Sequence, residues 1–170
     1  MLGIGGKELS EENAAQTAKA LNIIQPDFIR VHATGIKLES KLGEFVRDGS
    51  FTLQSEEGIV IEQKLFLQQL HEMDSYYVNE HIVNLLLEVR GNLRTEKQEM
   101  LSTIDRFLTL PPDERLLFTV GRRLNIFFRL DDLKKPKLHQ KAGESLQQIL
   151  SKNPHVDFAA LCNYVRQSQI

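Results

Sequence analysis

Apolar positions follow two rhythms along this chain, and the change falls near residue 90. Before it, short apolar runs that suit strands are interleaved with helical spacings; beyond it, every apolar run falls at helical spacing. Met1-Leu2, running into Gly3-Ile4-Gly5-Gly6, reads as a strand stub entering a glycine corner. Ser10-Glu11-Glu12-Asn13 has the form of a capped helix start, with acids that complement the helix dipole, and Ala14, Ala18 and Leu21, with Thr17, supply an inner face. Pro26-Asp27 ends that segment, and Phe28 to Ala33 alternates as a strand. Strand, helix and strand in so short a stretch predict a βαβ unit, with a parallel pair and a right-handed crossover.

Lys41 to Arg47 predicts a short helix closed by Asp48-Gly49, and Ser55 to Met73 a longer one that Ser55 caps and Gly58 weakens. Tyr76-Tyr77-Val78 is a candidate third strand. His81 to Leu87 suits either a helical turn or a buried extended run, which periodicity alone does not separate. From Thr95 onward the pattern predicts helices at 95–108, from Pro111 on, at 139–151 and at 157–167, with a break at Lys134-Lys135-Pro136-Lys137. The expected fold is therefore α/β, made of incomplete parallel βα-barrel units over residues 1–90, followed by an all-α helical region over 91–170.

Composition narrows the partners more than the fold. The 170 residues are 41% hydrophobic and 26% charged with a net charge of -2, the profile of an ordinary globular protein without a strongly basic surface, so no nucleic-acid partner is expected. No leader segment and no apolar window near the ~18 residues of a membrane span is visible, which predicts a cytoplasmic chain with no membrane partner. Cys162 is the single cysteine, so one chain cannot assemble a disulfide framework or a cysteine-ligated zinc or iron-sulfur site.

Several side chains are candidates for chemistry. The glycine corner suits either a pocket wall or a tight turn, since it lacks the spacing of a dinucleotide fingerprint. Arg30 and His32 share one face of the second strand, which is either a lumen that holds a carboxylate or phosphate, or a solvated face. His71, Glu72, Asp74 and His81 lack the spacing of a metal site. Asn79, His81 and Asn84 suit capping and turn formation, with ligand contact as the alternative. Arg122 and Arg123, with Arg115 and Arg129, read as a solvated basic helix face. Cys162, among Phe158, Leu161 and Val165, reads as a small buried apolar residue rather than a nucleophile.

The order of several segments carries a resemblance. Gly3-Ile4-Gly5-Gly6-Lys7-Glu8-Leu9-Ser10-Glu11-Glu12-Asn13, Asn22 through Pro26-Asp27-Phe28-Ile29-Arg30, Gly49-Ser50-Phe51 and Asn79-Glu80-His81-Ile82-Val83-Asn84 resemble the C-terminal half of a bacterial group in the radical S-adenosylmethionine superfamily, over residues 1 to about 108. That resemblance implies a partial (β/α) barrel, a four-iron four-sulfur cluster on a three-cysteine loop, and reductive cleavage of S-adenosylmethionine to a radical. It further implies that Gly3, Gly5, Gly6 and Glu8 line the adenosylmethionine pocket and that Arg30 faces the lumen. The three-cysteine loop, which precedes these segments in the superfamily, is absent here, and one cysteine cannot hold the cluster. The expectation is thus a C-terminal fragment or relic of a radical enzyme, without catalytic competence or a cofactor of its own, which self-associates or docks on another protein chain. The alternative is a helical protein-protein interaction module, with the apolar helices after residue 95 as its surface.

Overall fold

The computed structural model describes residues 1–169. Its elements are Ser10–Ile24 (α1), Phe28–Arg30 (β1), Lys41–Asp48 (α2), Glu56–Gln69 (α3), Tyr76–Val78 (β2), Gly91–Asn92 (β3), Lys97–Leu108 (α4), Pro112–Arg123 (α5), a 3-10 turn at Leu130–Lys134, Pro136–Lys152 (α6) and Phe158–Gln167 (α7). The chain is α/β and rich in helix.

β1 and β2 run parallel, with Phe28 beside Tyr76, Ile29 beside Tyr77 and Arg30 beside Val78. The N-terminal stub adds one parallel bridge, Leu2 with Ala33: the Leu2 N–H donates to His32 O and the Thr34 N–H to Leu2 O, each at 2.9 Å. The order of the predicted strand-helix-strand unit is kept only in outline: Leu2 and Ala33 form a single isolated bridge outside β1, no strand precedes α1, and no βα-barrel unit is formed among the described residues. β3 is a departure. It lies antiparallel against β2, Asn92 opposite Tyr76, and makes the sheet mixed. Two residues, one a glycine, are too few to show a period of two.

Alternation then decides which side of the sheet is filled. Ile29, Val31, Ala33 and Tyr77 are buried, whereas Phe28, Arg30 and Tyr76 stay exposed. Against the filled side, α1 presents Ser10, Ala14 and Ala18 at four-residue spacing, and these small side chains let it lie close to α3. One continuous apolar core runs from Leu2 through Phe66 and Leu67 to Phe107, Phe118, Phe127 and Ala142. Each large apolar side chain removed from water there contributes about 1.5–3 kcal/mol.

Three local expectations need correction. Ser10 does not cap α1: Leu9 holds the cap position without a side-chain bond, and the Ser10 hydroxyl donates instead to Glu62 Oε2 at 2.6 Å. Lys134 to Lys137 is not simply a break, because Pro136 is the first residue of α6, where its missing N–H leaves no helical bond unmade. His81 to Leu87 is neither helix nor strand but a chain of turns that buries Val83, Leu85 and Leu86. Among the described residues no helix is long and apolar enough to cross a membrane.

Candidate functional site

The glycine corner sits at the carboxyl end of the stub, with Gly3 at φ 76° and Gly6 at φ 63°, a left-handed backbone that favours glycine. It is anchored by a residue the sequence reading missed, the fully buried Glu62 of α3. Glu62 Oε1 accepts from the Gly3 N–H at 3.0 Å and the Asn13 amide at 2.7 Å, while Oε2 takes the Ser10 hydroxyl. The chain itself crowds the glycines: a Cβ on Gly5 would lie 2.8 Å from Leu9 O, and one on Gly6 2.8 Å from Thr52 O. Glu8 is exposed, and a hydrogen bond from the Thr52 side chain holds its carboxyl below the usual range.

Arg30 is apart from that corner. It is three residues before Ala33, the partner of Leu2, and so about 10 Å back along the strand direction. Arg30 is exposed beside Phe28 and the half-buried His32, on the unfilled side of the sheet. There the His32 and His81 rings stack with centroids 4.1 Å apart. Burial, then His81 and Arg30, lowers the pKa of His32. Phe28 and Tyr76, paired in register, remain 71% and 41% exposed, an apolar surface that ordinary solvation does not favour.

Other buried polar groups lie away from that corner. The side chain of Asn84 accepts from the Ala33 N–H at 2.7 Å and donates to Val31 O at 2.8 Å, standing in for a neighbouring strand beyond the end of β2. Asn163 of α7 does the same for Ile36, at 2.8 and 2.9 Å. Both amides satisfy backbone that has no ladder partner there. Asn79 instead donates to Leu86 O at 2.6 Å within the following turns.

Arg122 and Arg123 correct the sequence reading most sharply, because neither is solvated. Arg123 donates to Glu56 Oε1 at 3.1 Å and Oε2 at 2.6 Å, Arg166 pairs with the same carboxylate and donates to Thr34 O at 3.0 Å, and all three residues are at most 5% exposed. Burial pushes the Glu56 carboxyl up, but Arg123 and then Arg166 outweigh it and hold it below its ordinary value. Arg122 donates to Ile82 O and Asn84 O at 3.1 and 3.2 Å, and burial, with Arg123 beside it, pulls its guanidinium down to about 10. Arg115 is partly buried against Glu57, and Arg129 alone of the four is exposed. Burial pushes the Cys162 thiol up to about 12, which leaves it a poor nucleophile.

The residues of this chain do not fit an iron-sulfur cluster. Three thiolates are required, and its one cysteine, Cys162, is buried on α7. Among the described residues no group of three or more His, Cys, Asp or Glu side chains is placed to hold a metal ion. No protein-family model matches the sequence, and comparison with curated proteins and with solved structures returns no match.

Proposed function

We propose that this chain is the C-terminal part of a radical S-adenosylmethionine protein, a set of late βα units with a helical extension, that works by docking rather than by chemistry of its own. The observation that carries the reading is the sheet with one filled and one open side. The stub, β1 and β2 run parallel with α1 and α3 packed on one side, while Phe28, Arg30 and Tyr76 stand exposed on the other. In a partial βα barrel that open side would be the lumen, and a three-cysteine chain docked across it would complete the barrel. Gly3, Gly5, Gly6 and Glu8 would then form the rim of an adenosylmethionine pocket, with Arg30 deeper on the same wall. The cluster and the radical step belong to the docked chain, and no step is assigned to residues here.

The helical-module reading has less to stand on. Most apolar positions after residue 95 enter the chain's own core, among them Met100, Ile104, Phe107, Leu117, Phe118 and Val120.

The proposal is tested by adding S-adenosylmethionine to the purified chain and following its melting temperature beside that of Arg30→Ala. A saturable rise in the unaltered chain that the variant loses is the expected result. No rise at any concentration would remove the pocket assignment.

A further inference from the structure

The open side of the sheet carries both a protruding aromatic side chain and an opening able to receive one. Phe28 on β1 and its register partner Tyr76 on β2 are both exposed. Tyr76 also forms one wall of a cleft of about 430 Å³, within the size range of pockets that enclose organic groups. Leu87 and the exposed Phe128 give that cleft apolar walls. β2 is the central strand, and the two features flank it. Phe28 lies on the β1 side, while on the other side Glu96, at the cleft, accepts from the Asn92 N–H of β3 at 2.7 Å.

Charge follows the same division. The cleft is lined by three carboxylates, Glu80, Glu88 and Glu96, and by two guanidinium groups, Arg90 and Arg129, which leaves one negative charge in excess. Glu80 is paired with Arg90, whereas Glu88 takes the Leu130 N–H at 2.6 Å and its second oxygen is buried without a partner. On the β1 side the sign is opposite. Arg30 follows Phe28 on the same face, exposed, and among the described residues it enters no ion pair. Phe28 does not enter its own chain's cleft, because Tyr76, a wall of that cleft, stands beside it in the sheet. A two-fold axis along β2 removes the difficulty. It turns the β1 side of one copy onto the β3 side of another, so that both contacts form at once and the pair is closed.

Resting on the reading of the open side as a docking face, we infer that its occupant, when no other chain is docked there, is a second copy of this chain. In that two-fold pair Phe28 of each copy enters the other's cleft between Tyr76, Leu87 and Phe128, and Arg30 meets the carboxylates of the cleft. Burial of the aromatic ring supplies the affinity. The exposed charges contribute little energy and instead fix which side of one copy meets which side of the other.

The test is complementation between two variants, followed by sedimentation velocity. Phe28→Glu lacks the knob and Leu87→Trp fills the cleft, so each is expected to be monomeric alone. Mixed in equal amounts they should form a one-to-one pair, because the Phe28 of Leu87→Trp fits the open cleft of Phe28→Glu and restores one of the two contacts. Arg30→Glu should weaken self-association of the otherwise unaltered chain about fivefold, an effect that high salt removes. If circular dichroism shows that Leu87→Trp does not fold, Arg129→Trp, at an exposed residue of the same cleft, takes its place. Two monomeric variants whose mixture stays monomeric, or unaffected association in the cleft-filled variant, would overturn the knob and cleft while leaving the open side a docking face. Unaffected association in Phe28→Glu, or an unaltered chain that is monomeric throughout, would overturn this inference and the docking reading together.

Discussion

α3 carries two buried glutamates near its two halves, and they are satisfied in opposite ways. Glu62 takes neutral donors, the Gly3 N–H, the Ser10 hydroxyl and the Asn13 amide, and so ties the glycine corner and α1 to the helix. Glu56 takes guanidinium groups from α5 and α7, and so ties in the last helices of the chain. One clamp is built of dipoles and the other of full charges. The ionic clamp therefore carries the larger penalty when broken and a dependence on pH.

The sharpest way to break the comparison is Glu56→Ala, which strands two buried arginines. A loss of about 3–5 kcal/mol in urea unfolding is expected, with faster amide exchange in α7. Acid should reproduce part of that effect. The folded pKa of Glu56 lies below its ordinary 4.5, so its contribution is complete above that value and is lost as pH falls through the lowered folded one. Unfolding measured from pH 7 downward should show a steep acid limb that Glu56→Gln flattens, and an unchanged limb in the variant would contradict the ionic reading. Glu62→Ala should be milder, about 2–3 kcal/mol, because the unpaired groups are neutral and Asn13 is half-exposed. If Glu62→Ala proved as severe as Glu56→Ala, the distinction between the two clamps would fail.

These two clamps also mark where the sequence was legible. Helices with a wide apolar face and a local cap were readable: Ser55 accepts from the Gly58 N–H as its spacing implies, and Tyr76–Val78 is a strand. What could not be read were groups whose partners are remote in the chain. Arg122 and Arg123 look like any solvated pair on α5, since Glu56, Ile82 and Asn84 come from other elements. Ser10 carries the signature of a cap, yet a glutamate 52 residues away claims its hydroxyl. Asn84 and Asn163 resemble loop and helix residues, and only the fold shows that each satisfies remote backbone, Asn84 at Val31 and Ala33 and Asn163 at Ile36. At the glycine corner the turn was legible from composition. The carboxylate behind it was not.

The central claim concerns the open side of the sheet, and a charge placed there gives the most direct test. Phe28 is 71% exposed, so Phe28→Glu should change the stability of the isolated chain by no more than about 0.5 kcal/mol. In the absence of the proposed docking partner, a second copy is expected to cover Phe28 and Tyr76. Sedimentation velocity over a range of concentrations should then show self-association for the unaltered chain and a monomer for Phe28→Glu. A chain that stays monomeric throughout, or a variant that associates as strongly as the original, would contradict a docking role for this face.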